Sequence, residues 1–120
     1  MIYRLFYAQG STSEGVRVIL EEIEAPYQLI QSTKDISKSR HPEQLKINPN
    51  GWISVLIFGD NGIYECAAII MFLCDRHPEV NLAPKYNAPK RGLYLLTLLY
   101  FFSFIQTAFQ TNYYPIVLSI

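Results

Sequence analysis

NPNGWISVLIFGDNGIYECAAII, residues 48–70, is the stretch whose reading decides the fold. Asn48-Pro49-Asn50-Gly51 is a dense turn signal, because Asn and Gly tolerate left-handed backbone and Pro pre-sets φ. Ser54 to Phe58 is rich in β-branched and aromatic side chains, which predicts a strand. Gly59-Asp60-Asn61-Gly62 predicts a hairpin turn, and Ile63-Tyr64 opens a short partner strand. Glu65 to Arg76 has the length and composition of a helix, and the run Ala67 to Leu73 leaves it almost no polar face. A helix apolar all round has to be covered on both sides. The sheet supplies one cover, and a further domain or subunit is expected to supply the other.

Upstream, Ile2 to Tyr7 predicts a strand and Ala8 to Thr12 a loop. Val16, Ile19, Leu20 and Ile23 recur at i, i+3, i+4, i+7, the spacing of an amphipathic helix, which Ala25-Pro26 stops. Tyr27 to Gln31 predicts a second strand. Strand, helix and strand within about thirty residues form a βαβ unit, so these two strands should be parallel. Pro42 to Ile47 suits one or two helical turns. Downstream, His77-Pro78 ends the apolar helix and Val80 to Ala88, with Pro84, reads as a linker. Pro89 fits the first turn of a new helix over residues 90–112. Ser103, Gln106, Thr107, Gln110 and Thr111 form a polar stripe on it. Pro115 ends it before an apolar tail, Ile116 to Ile120.

The 120 residues suit one domain, and half of them are apolar. Ten basic and ten acidic residues cancel and are scattered, so there is no basic stripe for nucleic acid. Two cysteines, Cys66 and Cys74, fit a reducing compartment, and cytoplasmic placement is expected. On one helix they stand roughly 12 Å apart along the axis, too far for a bridge. The N-terminus lacks the pattern of a signal peptide. The apolar run Leu93 to Ile105 is shorter than the roughly 20 residues of a spanning helix, so a membrane role is not expected. His41 and His77 have no metal-ligand spacing, so no metal is expected.

Three segments should converge on one edge of the sheet. Open α/β sheets bind ligands beyond the carboxyl ends of their parallel strands, which selects the loop Gln9 to Ser13. Hydroxyls of Ser11, Thr12 and Ser13 either cap the following helix or donate to an anion or thiolate. The irregular run Asn50 to Val55, including Trp52, Ile53 and Ser54, leaves backbone groups for a peptide-like ligand or is an ordinary loop. At the start of the apolar helix, Glu65 and Cys66 either hold an ammonium and a carboxylate or serve as cap and small hydrophobe. There is no CxxC, which argues against dithiol–disulfide chemistry.

Three motifs together resemble bacterial glutathione transferases: Asn48-Pro49-Asn50-Gly51-x-Ile53-x-Val55-Leu56, Tyr64-Glu65-Cys66-Ala67-Ala68-Ile69, and Leu73-Cys74-Asp75-Arg76-His77-Pro78. Arg17 to Pro26, and Leu82-Ala83-Pro84 to Pro89-Lys90-Arg91, are similar to that family as well. The resemblance implies an α/β, thioredoxin-like β-α-β-α-β-β-α domain over residues 1–79, a linker over 80–88, and the start of an all-helical domain over 89–120. The chain is expected to stop after one long helix of that incomplete domain.

The resemblance also implies glutathione as co-substrate, conjugated to electrophilic small molecules in detoxification, and a homodimer. Ser11, Thr12 and Ser13 then hold the thiol-activating position, with Ser13 or Ser11 favoured. The Ile53 backbone pairs with the cysteinyl part of glutathione, beside Trp52 and Ser54. Glu65 and Cys66 hold its γ-glutamyl end. Ser54 stands where the family has a cis-proline. Either its peptide bond is cis, or it is trans and Ile53 turns away. Cys66 stands where the family usually has Ser or Thr. A non-catalytic binding and dimerisation module of the same fold is the alternative function.

Overall fold

The computed structural model describes residues 2–32, 40–50 and 53–105. Strand β1 (Tyr3–Tyr7), helix α1 (Ser13–Glu22) and strand β2 (Tyr27–Gln31) form the expected unit, with β1 and β2 parallel from Tyr3↔Tyr27 to Tyr7↔Gln31. Helix α2 is Pro42–Ile47. Strands β3 (Val55–Phe58) and β4 (Asn61–Tyr64) form the hairpin, and helix α3 is Cys66–Arg76. The sheet order is β2-β1-β3-β4. β1 pairs antiparallel with β3 through Arg4↔Ile57, Leu5↔Leu56 and Phe6↔Val55, and thereby joins the two halves.

Alternation along β1 sends successive side chains to opposite faces. Tyr3 and Leu5 meet α1 and α3 on one face, with Val16, Leu20, Ile69, Ile70 and Leu73. Phe6, Val55 and Ile57 meet Ile47 of α2 on the other. Burying each such side chain contributes about 1.5–3 kcal/mol.

Local chemistry explains the boundaries. Helix α1 ends with Glu24 in the left-handed region, φ 54°. The Glu24 N–H donates to the Glu21 carbonyl, and the Ala25 N–H donates to the Leu20 carbonyl. Two otherwise unpaired carbonyls are satisfied this way. His41 caps α2: its Nδ1 accepts from the Glu43 N–H at 3.2 Å.

Four boundaries differ from expectation. The hairpin turn is the two residues Gly59-Asp60, with φ 59° at Gly59, and Asn61 and Gly62 belong to β4. Gly62 is needed for a close approach: a Cβ there would lie 2.4 Å from Ile47 Cδ1. Ser54 lies just outside β3 and Glu65 just outside α3. Pro89 precedes helix α4 (Arg91–Tyr100), whose N-cap is Lys90. A 3-10 turn spans Pro78–Val80, and a π-helical turn, Phe101–Ile105, follows α4. Expectations for residues 106–120 lie outside the described residues.

Helix α4 meets α3 through the Arg91–Asp75 ion pair at 3.7 Å. Leu98 of α4 and Phe102 of the π turn pack against the core shared by β1, α1 and α3, while Met71 and Phe72 stay half-buried. Both cysteines are free and buried. No helix among the described residues is long and apolar enough to cross a membrane.

Candidate functional site

The loop after β1, the run into β3 and the start of α3 meet at one edge of the sheet, tied by side chains. Thr12 Oγ1 and Ser54 Oγ hydrogen-bond at 3.1 Å, although 42 positions separate them. Both hydroxyls lie close enough to the Cys66 thiol to favour its ionised form. Ser54 and Cys66 are buried, and Thr12 is half-buried. Burial pushes the Cys66 thiol up from its ordinary value, and the two hydroxyls only partly offset this. At neutral pH Cys66 is therefore a thiol, a weak hydrogen-bond donor rather than a nucleophile.

The three loop hydroxyls divide by role. Ser13 is fully buried, accepts from the Ala8 N–H at 3.3 Å and has its oxygen 3.4 Å from the Ala8 carbonyl. Ser11 donates to the same carbonyl at 2.6 Å and also hydrogen-bonds Ser13. These two close the loop on itself. Thr12 occupies the N-cap of α1 but makes no side-chain cap bond, and it alone of the three reaches the other segments.

At α3, Glu65 is the N-cap residue, with φ 77° and ψ 112° and an exposed side chain. For a non-glycine residue that backbone conformation costs about 1–3 kcal/mol. It leaves the first N–H groups of α3 without helical partners, at the positive end of the helix dipole. The Ile53–Ser54 peptide is trans. The Ile53 carbonyl accepts from Gln44 Nε2 at 3.2 Å, so it faces α2. Trp52 lies outside the described residues. Among the described residues no group of His, Cys, Asp or Glu is placed to hold a metal ion.

Two groups near this edge carry no signal in the sequence. Gln44 is one; in Pro-Glu-Gln-Leu-Lys-Ile it reads as a surface residue, yet it is fully buried. Tyr7 is the other, at the end of β1. Its hydroxyl donates to Glu14 Oε1 at 2.8 Å, and that bond holds its pKa up, so it is not an activated hydroxyl.

Over 61 residues the chain is 44% identical to glutathione S-transferase 1 of Dianthus caryophyllus, a match covering 49% of this chain and 27% of that protein. Over 78 residues it is 32% identical to a zeta-class glutathione S-transferase of Euphorbia esula, covering 65% of this chain and 35% of the relative. The chain thus spans about a third of the length of these curated relatives. Its fold matches a glutathione transferase homologue from Sulfitobacter, solved with bound glutathione, at a TM-score of 0.80 and 23% identity. That match covers 91% of this chain and 52% of the other. No protein-family model matches the chain. In sequence this chain is thus similar to glutathione S-transferases, and its fold is that of the thioredoxin-like glutathione transferase structures.

Proposed function

We propose that the chain binds glutathione across the Thr12–Ser54–Cys66 edge and serves its conjugation to electrophilic small molecules. The observation that carries this reading is the hydroxyl–thiol cluster beside the N-terminus of α3, in a chain similar to the glutathione transferases. The free N–H groups of Cys66 and its successors suit the γ-glutamyl carboxylate. The exposed Glu65 carboxylate suits the γ-glutamyl ammonium. The Ile53 carbonyl is taken by Gln44, so the Ser54 end of this segment is what remains for the peptide part. Thr12 donates a hydrogen bond to the glutathione sulfur, which favours loss of the thiol proton to solvent and so the thiolate, while Ser11 and Ser13 hold the loop. The thiolate forms a bond to an electrophilic carbon as the leaving group departs with its electron pair.

In this reading residues 1–79 form the glutathione-binding domain, 80–88 the linker and 89–120 the start of a helical domain. The exposed apolar side of α4 supports a homodimer, and the two free thiols support the cytoplasm.

A second reading, a binding and dimerisation module without catalysis, is favoured by one observation: the Ser11 and Ser13 hydroxyls are both spent inside their own loop. Retention on immobilised glutathione with turnover of a general aryl-halide electrophile is expected from the first reading. Retention without turnover selects the second, and no retention removes both.

A further inference from the structure

We infer that Gln44 is a positioning residue for the glutathione site, holding the Ile53 peptide in one orientation from inside the domain. The inference rests on the reading of that site as a glutathione site. Gln44 is fully buried on a helix of six residues. Its Nε2 donates to the Ile53 carbonyl at 3.2 Å, and its Oε1 accepts from Ser32 Oγ at 3.1 Å. The partners fix the amide's orientation, because a carbonyl only accepts. The end of β2, α2 and the run into β3 are thus pinned at one buried amide. Asn48, also fully buried, extends the pin: its N–H donates to the Gln44 carbonyl at 2.9 Å, and its Oδ1 accepts from the Asn50 N–H at 3.2 Å.

A buried amide is costly unless both ends are bonded, and an apolar side chain would fill the same volume at less cost. The amide does what an apolar group cannot: it fixes a peptide plane. In a trans peptide the carbonyl and the next N–H point opposite ways. With the Ile53 carbonyl bound on the α2 side, the Ser54 N–H is turned away from α2. Gln44 therefore decides which backbone groups of this segment remain for a peptide-like ligand.

The test compares the whole chain with Ser32→Ala/Gln44→Met, which removes the amide together with the hydroxyl that would lose its partner. Glutathione affinity is measured by calorimetry, together with Tm and the steady-state constants. The expected result is a Tm close to wild type and glutathione binding weakened about tenfold, the size of one lost oriented hydrogen bond. KM for glutathione should rise while kcat at saturating glutathione stays. Gln44→Glu supplies a second readout, since only a protonated carboxyl donates to the Ile53 carbonyl. Its glutathione affinity should fall between about pH 5 and 7.5 relative to wild type. His41, at the cap of the same helix, is present in both proteins and cancels in the comparison. Wild-type affinity in the double variant, or parallel pH curves, overturns the inference. A wild-type chain that binds no glutathione overturns the reading of the site, and the inference with it.

Discussion

Ser54 stands where the resembling family carries proline, and its hydroxyl bridges to Thr12 across the edge of the sheet. Ser54→Ala removes that bridge from a buried position. Stability should fall by about 1 kcal/mol, seen as a lower urea midpoint with an unchanged slope. Glutathione binding should weaken with it. The ionisable groups of the core set the response to alkali. Burial raises the pKa of Cys66 and of Cys74, and it pushes Tyr94, beside Cys74, up to about 12. In each case the folded chain prefers the protonated form. The stability these groups contribute is full below their unfolded values and is lost as pH rises through the folded ones. Urea midpoints should therefore be flat on this account at neutral pH and decline above about pH 9. Cys66→Ala/Cys74→Ala/Tyr94→Phe should decline less.

At the level of elements, the sequence was most informative where one local pattern sufficed. The spacing of Val16, Ile19, Leu20 and Ile23 predicted α1, and runs of β-branched and aromatic residues predicted β1 and β3. The misreadings arose where tertiary contact overrode local signal. Gly62 reads as a turn residue, but its missing side chain makes room for Ile47. Gln44 reads as a wet residue of a short helix, and only the fold brings Ser32 and Ile53 to it. The three neighbouring hydroxyls at residues 11–13 are indistinguishable in sequence, and loop geometry separates Thr12 from the other two. Glu24 shows the same limit, because Ala25-Pro26 marked a stop without revealing its left-handed backbone. A non-glycine residue there costs about 1–2 kcal/mol. Glu24→Gly should relieve that strain against glycine's greater unfolded entropy, for a net gain of about 0.5–1 kcal/mol in thermal unfolding.

At the scale of the molecule, α4 and the π-helical turn after it leave many large apolar side chains exposed among the described residues. Leu93, Leu96 and Phe104 are 64%, 65% and 64% exposed, with Leu99, Tyr100 and Phe101 beside them. Large exposed apolar side chains gathered on one element favour association. Sedimentation should show self-association of the chain, and Leu93→Gln/Leu96→Gln should shift it to monomer with little change in Tm.

The joining of β1 to β3 makes the molecule a pair of complementary fragments. Residues 2–32 contribute β-α-β and Thr12, while residues 40–76 contribute the hairpin, α3, Ser54 and Cys66. A ligand seated on Thr12 and Ser54 together touches both sides of a seam and acts as an adhesive for the fold. Glutathione at a hundred times its Kd should then add about 2.7 kcal/mol to the unfolding free energy. The same ligand should also promote reassembly of the two fragments when they are mixed as separate chains.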